Sequence, residues 1–189
     1  MAETADRRPG TSERVLLAAR ELFYDEGYGV TVDAIAARAH VVKPTVYAHF
    51  RSKEALIEAV LRDADEEWFR DLDAELDRRA GDPIARLLAP FDLLVRDLPD
   101  ANYHGCILVN SAATFHAEDH PAHSVLASHE QRMLDYFRRL GSEAQAADPD
   151  ALARQLLLIY TGLKAHGLVD STGAAAADAR AAVRALIGR

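Results

Sequence analysis

A single cysteine, Cys106, in 189 residues rules out an internal disulfide framework and any zinc site built from four thiolates of one chain. Long apolar runs are missing: no stretch approaches the roughly 18 residues that a membrane span requires. Met1 to Gly10 is polar and charged where a secretory leader would carry an apolar core. The expectation is a cytoplasmic protein that does not engage a membrane. Catalytic signatures are missing as well. Nothing forms a nucleophile elbow, a phosphate-cradling glycine loop or a His-Glu-x-x-His zinc motif, so neither an enzyme nor a cofactor is expected. No segment carries a convincing strand signal.

What is present is ordinary globular material, 49% hydrophobic and 28% charged, long enough for one large or two small domains. The net charge of −8 argues against a polyanionic partner until its distribution is considered. Residues 1–53 hold eight Lys/Arg against seven Asp/Glu, whereas the rest of the chain holds fourteen against twenty-three. An acidic body behind a slightly positive N-terminal part would turn that part toward phosphates.

Apolar spacing predicts helices throughout. Thr11 or Ser12 caps a first helix reaching about Glu26, with Val15, Leu16, Ala19, Leu22 and Phe23 on one face. Residues 31–53 then read as two short helices joined by a tight turn and succeeded at once by a third helix start, the layout of a helix-turn-helix. Thr31 caps the first of the pair, Ile35, Ala36 and Ala39 form its buried stripe, and His40-Val41-Val42 carries the turn. Pro44 stands in the first turn of the second helix, where its missing N–H costs nothing, and Ser52 caps the third. This third helix is long. From Ser52 it repeats apolar residues every four positions, Leu56, Val60, Ala64, Trp68, Leu72 and Leu76, until Gly81-Asp82-Pro83. Further helices are expected at about Pro83–Asp97, Gly105–Ala117, Pro121–Leu140, Pro149–Gly167 and Ala174–Ile187.

The string Pro44-Thr45-Val46-Tyr47-Ala48-His49-Phe50-Arg51-Ser52-Lys53-Glu54-Ala55-Leu56 resembles the DNA-binding segment of the TetR family of transcriptional regulators. The resemblance implies an all-α fold: an N-terminal three-helix DNA-binding domain over residues 1–53 and a helical ligand-binding and dimerisation domain over 54–189. It implies a homodimer on a palindromic DNA operator, most simply a repressor released by a small-molecule inducer. The DNA contacts it implies are Thr31, Lys43, Pro44, Thr45, Tyr47, His49 and Lys53. Lys43 and Thr45, at the exposed start of the recognition helix, would reach base edges. Tyr47, His49 and Lys53 would meet phosphates.

In the body, His104-Gly105-Cys106-Ile107-Leu108-Val109-Asn110 resembles a run found in one branch of these regulators. Trp68, Phe91, Tyr103, Cys106, Asn110, Phe115 and His116 form the candidate ligand lining, mostly apolar with a few polar groups, or else plain core. His104, His116, His120, His123 and Cys106 also allow a metal reading, which Pro121 weakens by starting a new helix between His120 and His123. A helical small-molecule binder or enzyme using this histidine-rich region, residues 104–129, is the competing reading. Cys106 fits a buried small hydrophobe or a sensing thiol. The run Leu156-Leu157-Leu158-Ile159-Tyr160 is apolar around most of its helix and needs cover on two sides. A two-fold interface through Leu156, Ile159, Tyr160, Leu163, Val183, Leu186 and Ile187 would supply it.

Overall fold

In the computed structural model, which describes residues 9–97, 104–166 and 174–188, every regular element is an α-helix. They are α1 Thr11–Asp25, α2 Val32–Arg38, α3 Lys43–His49, α4 Lys53–Arg78, α5 Pro83–Asp97, α6 Ile107–Thr114, α7 Pro121–Glu143, α8 Pro149–His166 and α9 Ala174–Ile187. The fold is all-α, with an N-terminal helix-turn-helix and a helical C-terminal part. None of the described helices is long and apolar enough to cross a membrane. The chain forms two compact units, Met1–Asp63 and Ala64–Arg189, divided within α4; the expected boundary at 53/54 lies at the start of that helix.

In the first unit, α1, α2 and α3 pack on one another around Val15, Ala19, Leu22, Phe23, Ile35, Ala36 and Val46. Leu56, Ile57, Val60 and Leu61 of α4 are buried as well. α1 is capped by Gly10, not by Thr11 or Ser12: the Gly10 N–H donates to Glu13 Oε2 at 3.2 Å, one residue ahead of the expected cap. Thr31 and Ser52 act as expected. Thr31 Oγ1 accepts the Ala34 N–H at 3.2 Å and Ser52 Oγ the Ala55 N–H at 3.0 Å. α2 ends with His40 in the left-handed region, φ 55°, while Val41 N–H reaches back to Ala36 O and His40 N–H to Ala37 O. This is a Schellman closure with histidine where glycine is usual, and it turns the chain straight into α3.

The second unit is built on α7 and α8, with α5, α6 and α9 packed against that pair. Its core joins Leu72, Leu87, Phe91, Met133, Phe137, Leu140, Leu156, Tyr160 and Val183, all essentially inaccessible. Along α4 the buried positions are not the strict four-residue series. Trp68 and Ala64 are half-buried, whereas Asp65 and Phe69 are buried. At 3.6 residues per turn, a four-residue step drifts around the helix, so the buried stripe moves to the neighbouring row.

The limits of α6 and α7 differ from expectation for local reasons. α6 starts at Ile107 because Gly105 takes φ 90°. α7 runs past Gly141 to Glu143 and closes at Gln145, φ 58°. Gly141 serves packing, since a Cβ there would lie 3.4 Å from Leu152 Cδ2 and 3.6 Å from Pro149. α5 carries Pro90 in its interior, which removes the N–H that would bond to Arg86 O. The Tyr136 hydroxyl of α7 donates to that carbonyl instead.

Candidate nucleic-acid interface and core polar cluster

α3 is amphipathic within seven residues. Val46 is buried, Thr45 is half-buried, and Lys43, Pro44, Tyr47, Ala48 and His49 are exposed. Val42, which precedes the helix, is 66% exposed and Tyr47 43%, two of the few large apolar side chains that the described residues leave open. Water-facing apolar groups beside lysine and histidine are suited to thymine methyls and sugar edges. Val42 is a position that sequence reasoning missed, because a valine in a turn reads as a packing residue.

Three expected DNA contacts already have partners. Lys43 Nζ lies 2.8 Å from Asp33 Oδ2 of α2, and this neighbour holds the lysine pKa above its ordinary value. Both side chains are exposed, so the pair is weak and can exchange for phosphate. Lys53 is tied more firmly. Its half-buried ammonium donates to Tyr28 O at 2.6 Å and fixes the loop between α1 and α2, leaving its remaining N–H groups for another acceptor. Thr31 spends its hydroxyl on the cap of α2.

The expected ligand lining falls into two groups, with Tyr103 outside the described residues. Trp68 and Phe91 both face Tyr160, at ring-centroid distances of 6.0 and 6.1 Å, and Phe91 is fully buried. The others are held around α6. Cys106 is its N-cap, Asn110 donates to His104 O at 2.6 Å, Phe115 stacks on His120 at 3.7 Å, and His116 is exposed. His120 Nδ1 accepts the Ala122 N–H at the start of α7, and His123 Nε2 meets Phe115 O at 2.8 Å. These histidines are engaged in holding the α6–α7 connection. Among the described residues, no three His, Cys, Asp or Glu side chains are grouped to hold a metal.

A polar cluster that the sequence did not reveal lies in the core of the second unit. Asp65 of α4 accepts from His129 Nδ1 at 2.6 Å through one oxygen and from Arg132 at 2.6 Å through the other, both on α7. Lys164 of α8 faces His129 Nε2 at 3.4 Å, and its ammonium stands 4.9 Å above the Tyr160 ring. Asp65, His129 and Lys164 are each at most 6% exposed. Burial, the largest influence, pushes the His129 pKa below its ordinary value; Lys164 adds to that and the Asp65 hydrogen bond opposes it. A neutral imidazole can donate to Asp65 through Nδ1 and accept one Lys164 hydrogen through Nε2, which leaves the ammonium without a carboxylate among the described residues.

Of the expected dimer residues, Leu156, Tyr160, Leu163 and Val183 are buried in the unit's own core and are not available to a partner. Ile159, Leu186 and Ile187 are half-buried, and Leu158 is 74% exposed. A shallow, largely apolar groove of about 420 Å³ runs between α8 and α9 past Ile159, Gly162, Ala175 and Ala179.

Residues 15–60 match the family model of bacterial regulatory proteins, tetR family. A crystal structure of a TetR-family transcriptional regulator from Streptomyces coelicolor superposes with a TM-score of 0.86 at 26% identity, covering 94% of each chain. The HTH-type transcriptional repressor DhaR of a Mycobacterium species is 27% identical over 154 residues, 75% of this chain and 74% of that one. The HTH-type transcriptional activator FasR of Mycolicibacterium smegmatis is 48% identical over 58 residues, 30% of this chain; the match spans a quarter of FasR.

Proposed function

The chain belongs to the TetR family of DNA-binding transcriptional regulators, a family of regulators and not enzymes, and from that premise we propose that it is a ligand-released repressor acting as a homodimer on a palindromic operator in the cytoplasm. The observation that carries this reading is α3, whose outward side is a run of DNA-compatible groups, Lys43, Thr45, Tyr47 and His49, around one buried anchor, Val46. Thr45 and Lys43 read base edges, Val42 and Tyr47 add apolar and phosphate contacts, and Lys53 contributes charge at the start of α4.

The dimer reading is supported by the α8/α9 side, where Leu158 is open and Ile159, Leu186 and Ile187 are incompletely covered. A two-fold contact there would double the DNA contacts, which a domain with so small a positive charge needs. A repressor is favoured over an activator because DhaR, a repressor, aligns over three quarters of the chain, whereas FasR aligns only with the N-terminal part. Release by ligand requires that ligand and operator bind with negative coupling, typically about 1–3 kcal/mol, and linkage makes that coupling reciprocal.

A reporter gene driven by the DNA flanking this protein's own gene tests the reading. Deleting the regulator should raise expression, and restoring it with Tyr47→Ala should not bring expression back down. A deletion that lowers expression would make it an activator, and one that changes nothing would remove that DNA as its operator.

A further inference from the structure

The core cluster of the second unit carries more hydrogen-bond donors than acceptors. Both oxygens of Asp65 are occupied, one by His129 and the other by Arg132, which also meets Glu66 at 3.0 Å. Lys164 is 5% exposed and meets no carboxylate among the described residues: its ammonium faces the His129 Nε2 lone pair and the Tyr160 ring. The indole N–H of Trp68, beside the same Tyr160 ring, is inaccessible and has no acceptor among the described residues. Buried donors left unmatched are costly, and an ammonium ion held by an imidazole and a π face is weakly compensated compared with a carboxylate pair.

The surroundings define what would match them. Phe69, Phe91, Phe137 and Tyr160 pack around the cluster, so an occupant needs an apolar body. Asp65 lies across the His129 ring from Lys164 and disfavours added negative charge, so a monoanion is favoured over a dianion. Trp68 and Arg132 are only half-buried, which brings the cluster close to the surface between α4 and α7.

We propose that this cluster is a ligand site for an apolar monocarboxylate, whose carboxylate is held by the Lys164 ammonium and the Trp68 indole N–H. The inference rests on the ligand-responsive reading under Proposed function and names the ligand class that the reading leaves open. His129 orients Lys164 by accepting one of its hydrogens, and Asp65 fixes the imidazole tautomer that makes this possible.

Trp68 is the sole tryptophan of the chain, so intrinsic fluorescence reports directly on the site. The full-length protein is titrated with benzoate, phenylacetate, 4-methylpentanoate and octanoate, with the primary amides of the same acids, and with inorganic phosphate, following Trp68 emission and the thermal unfolding midpoint. At least one acid should shift both signals and bind about tenfold or more tightly than its amide, while phosphate does nothing. Lys164→Met should bring that acid to the level of its amide, and Lys164→Arg should retain part of the preference. Equal binding of acids and amides, no response to any acid, or a preference that survives in folded Lys164→Met would each overturn the proposal. Should Lys164→Met fail to fold, Trp68→Phe, read by thermal unfolding alone, must weaken the acid relative to its amide or the proposal falls. Operator binding separates the two readings. Release of DNA by an amide but not by its acid would sink this proposal and leave ligand control standing; an acid that binds without altering operator affinity would do the reverse.

Discussion

Thr31 and Ser52 each lend a hydroxyl oxygen to a backbone N–H that the helix itself cannot satisfy. Thr31→Ala should therefore lower the unfolding free energy by about 1 kcal/mol, measured by urea denaturation; an unchanged midpoint would mean that the cap contributes nothing. Both caps were legible because a hydroxyl ahead of an apolar stripe is a local signal. Asp65, His129 and Lys164 were not legible. Each is a polar residue on a helix that also has a solvent face, and only the meeting of α4, α7 and α8 turns them inward together. Their arrangement has a pH consequence. Because the fold holds the His129 pKa below its ordinary value of 6.5, unfolding takes up a proton, so this contribution is complete above pH 6.5 and is lost as pH falls below it. The unfolding midpoint should drop between pH 7 and 5.5, and it should drop less in His129→Gln. Identical pH profiles would show that the imidazole is not the titrating group.

Among the elements, α5 and α8 illustrate how tertiary contacts decide what periodicity leaves open. Pro90 sits inside α5 without breaking it, since the Arg86 carbonyl it leaves unbonded takes its hydrogen from Tyr136. Burial holds the Tyr136 pKa well above its usual value, so the phenol stays protonated as the donor this bond requires. Tyr136→Phe should cost about 1–2 kcal/mol in urea denaturation, because it strands a half-buried acceptor without changing the shape of the core; a variant as stable as the parent would contradict this. In α8 the sequence shows that apolar residues surround the helix, but not which arc the chain covers for itself. Leu156, Tyr160 and Leu163 turn inward and Leu158 outward, an assignment that depends on where α7 and α9 lie. Replacing Leu158 by Glu leaves the monomer core untouched and places a charge on the proposed contact, at a cost of roughly 3 kcal/mol or more to association. Light scattering should then find a monomer, and a variant that remains dimeric would exclude this face.

At the scale of the molecule, the all-α class, the helix-turn-helix and most helix limits were readable because helical spacing, proline starts and glycine stops act within a few residues. The ligand lining expected from the sequence is brought together only in part. Trp68 and Phe91 do share the surroundings of Tyr160, whereas Cys106, Asn110, Phe115 and His116 are grouped around α6, a separation that no local pattern encodes. The central claim is that α3 reads DNA. Its most direct test is an anisotropy titration of labelled duplex from the gene's own flank, against a scrambled duplex of equal composition, at one moderate salt concentration. The parent protein should prefer the flank by about a thousandfold or more. Thr45→Ala should reduce that preference by roughly 1–3 kcal/mol, and Tyr47→Ala should weaken both duplexes. A parent that binds the two duplexes alike, or variants whose curves overlay those of the parent, would contradict the account.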